Sequence, residues 1–238
     1  MKVKAIIFDK DGTLIDFDAF WVSLSRAALG EVLVKRNQPM EMLEEMLTAF
    51  GVHDGVTDVN GVLCKGTYEE MARIVYDILV KHGETAAFEE IYPMVIESYN
   101  SNFVNGEVKA NCADIRGCLE ELKRRGMQLS IVTTDNRVLT LLCLEKLGIG
   151  DLFDEIYADD GRFTPKPCPD SAFDLMNRNG LTANDVVMVG DTMTDVRFAR
   201  NAGIRVVGMA KSKQNEDILK GQADVLIRDV ADMLNIVE

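Results

Sequence analysis

Val3-Lys4-Ala5-Ile6-Ile7-Phe8-Asp9-Lys10-Asp11-Gly12-Thr13-Leu14 is the stretch that decides the fold. A short apolar run rich in β-branched residues predicts a buried strand. The Asp, Gly and Thr cluster behind it predicts the strand's exit turn. Taken alone, two carboxylates two residues apart fit a solvated turn equally well. Two further apolar runs end in the same polar manner. Leu129-Ser130-Ile131-Val132 runs into Thr133-Thr134, and Asp185-Val186-Val187-Met188-Val189 runs into Gly190-Asp191-Thr192-Met193-Thr194-Asp195. Helical patterns lie between them. Alternation of strand and helix predicts a parallel sheet covered on both faces. Ligands of such sheets bind beyond the carboxyl ends of the strands, so the three polar ends face one crevice. Thr164-Pro165-Lys166-Pro167-Cys168-Pro169-Asp170, stiffened by three prolines, brings one ammonium group towards it.

The first strand gives way to some 90 residues of helical pattern. Phe17 to Lys35 carries Phe20, Leu24, Ala27, Ala28 and Val32 on one stripe. Residues 40–50 and 68–80 repeat the period. A fourth helix runs from about residue 84 to residue 99, with a break or fresh start at Pro93, because proline lacks the amide that a helix interior uses. Residues 51–66, rich in Gly, Asp and Asn, read as a loop. From residue 108 the strand and helix alternation resumes. Further helices are expected at 114–125, 137–147, 170–179 and 194–201, a strand near Ile156, and last strands at 204–207 and 224–227. The chain thus divides into an α/β core, 1–16 with 108–238, and a helical insert, 17–107.

Composition narrows the function. The chain has 238 residues and a formal net charge of −13. Residues 17–107 hold 6 basic and 15 acidic side chains, which concentrates the excess there. Such a surface repels nucleic acid and anionic membranes. No stretch is apolar for long enough to span a bilayer. The start, Met-Lys-Val-Lys, enters a strand directly and leaves no room for a signal peptide. Five cysteines, an odd number without a C-x-x-C pair, point to reduced thiols in a cytoplasmic protein. Two histidines, His53 and His82, argue against a zinc site of the usual kind.

Two carboxylates, a hydroxyl, a lysine and two more carboxylates follow one another in order. This pattern resembles the haloacid dehalogenase-like (HAD) superfamily of phosphohydrolases. Its first motif, D-x-D-G-T, matches Asp9-Lys10-Asp11-Gly12-Thr13. Its second, a Ser or Thr after an apolar strand, matches Thr133. Its third matches Lys166 in the form K-P-x-P-D, and its fourth, G-D-x-x-x-D, matches Gly190-Asp191 and Asp195. Within it, the pattern is similar to that of phosphoglycolate phosphatase-like and β-phosphoglucomutase-like members. Two departures stand out. Thr134 stands where many members have Asn, and Asn111-Cys112-Ala113-Asp114 where many have a Pro-Gly pair.

The resemblance implies a Rossmann-like core with an α-helical cap at 17–107 that closes over the crevice. It implies a phosphatase acting on a small phosphorylated metabolite, as a monomer or homodimer. Asp9 would be the nucleophile and would form an aspartyl phosphate, which splits hydrolysis into two easier steps. Asp11 would protonate the leaving alcohol and then deprotonate the attacking water. Four carboxylates around a phosphate repel it, so a hard dication is needed, and Mg²⁺ suits oxygen ligands. By resemblance its ligands are Asp9, the backbone carbonyl of Asp11, and Asp191. Asp195 is a further ligand through water or a brace for Lys166. Thr133, Lys166 and the backbone around Lys10 and Thr134 would bind the phosphoryl oxygens. In Asn60-Gly61-Val62-Leu63-Cys64-Lys65-Gly66-Thr67, Lys65 either reaches substrate or stays on a solvated loop; Trp21 is open in the same way. A phosphomutase shares this core and is the enzymatic alternative. A silent phosphate-binding module should have lost Asp9, Asp11, Lys166 or Asp191, and none is lost. Asp11 argues against carbon–halogen cleavage, which has no leaving alcohol to protonate.

Overall fold

Residues Ala5–Phe8 form β1, and every one of their side chains is buried. The computed structural model describes residues 1–238. It divides into two units, Met1–Asp16 with Val108–Glu238, and Phe17–Glu107.

The second unit is mostly helical. It holds α1 (Phe17–Lys35), α2 (Met42–Ala49), β2 (Val52–His53), β3 (Val56–Thr57), α3 (Val62–Lys65), α4 (Tyr68–Lys81) and α5 (Phe88–Asn102). Two expectations are corrected. Residues 51–66 are not one loop. They contain an antiparallel hairpin and the short α3. The hairpin turns at Asp54-Gly55, both at positive φ (52° and 79°), the geometry that an Asp-Gly pair favours. Pro93 does not break its helix but lies inside α5. The buried residues Ile91, Val95 and Tyr99, four apart, anchor one face of α5 across the proline. Tertiary burial there outweighs the loss of one backbone hydrogen bond. The Tyr99 hydroxyl donates to Ser25 Oγ at 2.7 Å, joining α5 to α1.

The first unit continues with α6 (Ile115–Arg124), β4 (Gln128–Asn136), α7 (Arg137–Leu147), β5 (Glu155–Asp159), α8 (Asp170–Asn179), β6 (Val186–Gly190), α9 (Met193–Ala202), β7 (Arg205–Met209), α10 (Lys213–Leu219), β8 (Val225–Ile227) and α11 (Met233–Ile236). The six long-range strands form one parallel sheet in the order β5-β4-β1-β6-β7-β8. This is the expected α/β, Rossmann-like core. Ala5, Ile7, Val132, Val186 and Met188 pack with Ala172, Leu175 and Met176 of α8 and with Val196, Phe198 and Ala199 of α9. Helices α6 and α7 lie against β4. Continuous burial of β1 and β6 follows from their central place in the sheet. One strand is longer than expected: β4 passes Thr133 and reaches Asn136, with a register shift after Val132. No helix is long and apolar enough to cross a membrane.

Candidate active site

Register brings the site together. Phe8 pairs with Ile131 on one side and with Val189 on the other. Asp9 follows Phe8, Thr133 lies two residues beyond Ile131, and Asp191 lies two beyond Val189. Strand β1 is where the chain's direction of sheet growth reverses, since β4 and β5 extend one way and β6, β7 and β8 the other. The crevice at such a switch point is the usual ligand site of open α/β sheets.

Each side chain is held by local structure. The amide of Asp9 donates to the Val189 carbonyl at 2.8 Å, continuing the ladder by one residue. The turn behind it closes through Leu14 N to Lys10 O (2.9 Å) and Gly12 N to Ile15 O (2.8 Å). Gly12 sits at φ +76°, and a Cβ there would lie 2.1 Å from Asp191 Oδ2. Only glycine allows both the turn and that close approach. Asp195 is part of a helix cap. Thr192 is the N-cap of α9, and the Asp195 carboxylate accepts from Thr192 N (3.0 Å) and Thr192 Oγ1 (2.7 Å) in a capping box. Thr13 Oγ1 donates weakly to Asp191 Oδ1 at 3.4 Å.

Lys166 enters between these carboxylates. Its ammonium donates to Asp9 Oδ1 and Asp195 Oδ1, both at 2.6 Å, and is 3% exposed. The loop that carries it is tied down by Cys168 N to Pro165 O (3.0 Å) and Asn201 Nδ2 to Pro167 O (2.9 Å). In this structure Asp195 therefore braces Lys166. Asp9, Asp191 and Asp195 present oxygens that all lie within 4.8 Å of one another. The charges respond to this crowding. Burial pushes the Asp9 carboxyl up to about 7; Lys166 opposes the rise, and Asp195 and Asp11 add to it. Burial holds Asp191 well above the carboxylate range, with Asp9 and Asp195 adding repulsion. Burial works against the Lys166 ammonium, but Asp195 and Asp9 outweigh it and raise its pKa.

Thr133 is buried, and its Oγ1 accepts from Asp135 N at 3.1 Å. Thr134 is exposed at the same strand end. The Lys10 side chain is fully buried and turns to Asp11 and Asp135, with Nζ 2.8 Å from an oxygen of each. Asp135 was absent from the expected site. Its one sequence signal is an acid directly after Thr133-Thr134, matched by a lysine inside the D-x-D motif. Lys65 belongs to the other unit, at the end of α3, and is exposed. Its ammonium donates to Asn60 Oδ1 at 2.6 Å.

This arrangement can hold a hard cation, bind an anion with one fixed ammonium, and offer one carboxylate as nucleophile. The haloacid dehalogenase-like hydrolase family matches residues 6–209, and the chain belongs to it. It is therefore an enzyme of the hydrolase class. Among individual relatives, a phosphoglycolate phosphatase of Pectobacterium atrosepticum is 26% identical over 236 residues, covering 99% of this chain and 92% of its own. Pyrophosphatase PpaX of Bacillus velezensis is also 26% identical, covering 99% and 96%. The fold is similar to the crystal structure of a predicted phosphoglycolate phosphatase from Haemophilus somnus, with a TM-score of 0.70, 23% identity, and 99% and 98% coverage.

Proposed function

We propose that this chain is a phosphoric monoester hydrolase that uses Mg²⁺ and passes through an aspartyl phosphate on Asp9. The observation that carries the reading is the meeting of Asp9, Lys166, Asp191 and Asp195 at neighbouring strand ends. The names of the relatives support the phosphatase class and point to small phosphorylated substrates.

The residues fit a dication. Three carboxylates converge, and burial, with added repulsion from the neighbouring carboxylates, raises the proton affinity of both Asp9 and Asp191. Asp9 and Asp191 would hold Mg²⁺ together with the Asp11 carbonyl. When bound, the ion neutralises charge on the cluster and on the phosphoryl group. Lys166 and Thr133 hold phosphoryl oxygens. Asp9 attacks phosphorus in line with the leaving oxygen, and Asp11 gives that oxygen a proton as the P–O bond breaks. Asp11 then takes a proton from water as the water attacks the aspartyl phosphate. Inorganic phosphate leaves and Asp9 is restored. Asp195 acts by fixing Lys166. Within this reading Lys65 contributes to substrate recognition.

The test is a panel of small phosphate esters, with 2-phosphoglycolate and inorganic pyrophosphate included, assayed with EDTA and then with Mg²⁺. Turnover that appears only with Mg²⁺ is the expected result. Full turnover after thorough metal removal would sink the metal role, and no turnover on any ester would sink the phosphatase reading. A phosphomutase would return the phosphoryl group to a second sugar hydroxyl and release little phosphate. Lys65→Ala should spare p-nitrophenyl phosphate while impairing the best ester of the panel; equal effects on both would return Lys65 to the solvated surface.

A further inference from the structure

Lys10 stands between the two motif carboxylates, where its side chain is fully buried. A lysine is almost never fully buried unless paired. Here it is paired twice, at 2.8 Å to Asp11 Oδ1 and at 2.8 Å to Asp135 Oδ2. Asp135 is itself fixed, because its Oδ1 accepts from Asn136 N at 3.1 Å and its amide donates to Thr133 Oγ1. The ammonium thus ties the end of β1 to the extension of β4, beyond the register shift.

The result is a separation of carboxylates. Asp9, Asp191 and Asp195 converge, whereas the Asp11 carboxylate lies outside that cluster. Lys10 and Asp11 belong to the turn that follows β1, closed by Leu14 N to Lys10 O at 2.9 Å, and there the Asp11 carboxylate meets the Lys10 ammonium at 2.8 Å. We propose that Lys10, anchored by Asp135, is a positioning residue that holds the Asp11 carboxylate out of the acidic cluster and in place for proton transfer to the leaving oxygen. The inference rests on the phosphatase reading and deepens it.

The consequence is selective. An alkyl phosphate has a poor leaving group, and its departing oxygen takes the P–O electron pair together with the proton from Asp11. Acetyl phosphate releases acetate, which needs no proton. A positioning defect at Asp11 therefore slows release of the alcohol much more than release of acetate. The parameter to follow is kcat/KM, which ends at departure of the leaving group and excludes the shared hydrolysis of the aspartyl phosphate.

The experiment compares the wild-type enzyme with Lys10→Met and Asp135→Asn on acetyl phosphate and on the best alkyl phosphate of the panel, with Mg²⁺. For Lys10→Met the ratio of the two kcat/KM values should shift by about tenfold or more towards acetyl phosphate, within the range of general acid catalysis. Asp135→Asn keeps the shape of the site and removes one charge, so it should shift the ratio in the same direction even if Lys10→Met folds poorly. A purely structural role would lower both substrates by one factor, and an unchanged ratio in Asp135→Asn overturns the proposal. If the wild-type enzyme cleaves neither ester, the phosphatase reading itself has failed and the proposal falls with it.

Discussion

Asp9 lies where burial, one ammonium and several carboxylates compete. Its anion is the attacking form, and it is also the form that burial penalises. Asp9→Asn keeps the shape and removes the nucleophile, so phosphate release should stop while the fold persists. Asp11→Asn should slow both half-reactions. Rapid quench with a labelled ester would detect aspartyl phosphate in that variant, and release at the wild-type rate from either variant would refute the roles given to them. Lys166 differs because one charge serves two ends. Lys166→Ala removes an anion-binding contact, a loss on the order of 10²-fold in kcat. It also leaves Asp9 and Asp195 buried without their shared partner, and breaking such buried pairs typically costs about 3–5 kcal/mol. The melting temperature in EDTA should therefore fall together with activity. A change in kcat below about threefold would make Lys166 a structural residue only.

The elements show why part of this site was legible and part was not. Continuous apolar runs bounded by Asp, Gly and Thr identified β1 and β6, because central parallel strands are buried on both faces. Positive-φ glycines close α7, α8 and α9 at Gly148, Gly180 and Gly203. The hairpin at Val52–Thr57 has strands of two residues, too short for any alternation to register. Its Asp54-Gly55 turn was the available signal. Pro93 misled because the burial that stabilises α5 is a tertiary fact. The pairing of Lys10 with Asp135 depends on how β4 continues past its register shift, which a local pattern does not carry. Turn chemistry yields a prediction of its own. Gly12→Ala forces a left-handed backbone on an L-residue, which costs roughly 1–2 kcal/mol. Its methyl group would also meet Asp191 Oδ2 at 2.1 Å. The variant should lose Mg²⁺ affinity more than it loses stability, as titration calorimetry beside a thermal melt would show. Wild-type affinity in Gly12→Ala would mean that Asp191 is not a ligand.

At the scale of the whole molecule, the acidic cluster links folding, protons and metal. Asp9 has a folded pKa of about 7 against an ordinary value of 3.8, and Asp191 is displaced in the same direction. A carboxylate whose pKa is raised on folding binds protons more tightly in the native state than in the unfolded one. Its contribution to stability is most favourable below the ordinary pKa and declines as pH rises through the folded value. Between pH about 4 and about 7 the metal-free protein should therefore lose stability from this cluster as it deprotonates. Mg²⁺ reverses the trend, because it binds the ionised carboxylates and must displace their protons. A ligand that binds only the native state raises the melting temperature by mass action, and the rise grows with affinity. The increase in melting temperature caused by saturating Mg²⁺ should consequently be larger at about pH 8 than at about pH 5. The difference should vanish in an Asp9→Asn, Asp191→Asn double variant, which removes the titrating pair and leaves the acidic surface intact. Equal Mg²⁺ shifts at both pH values would place the bound ion on the acidic surface of the chain, away from Asp9 and Asp191.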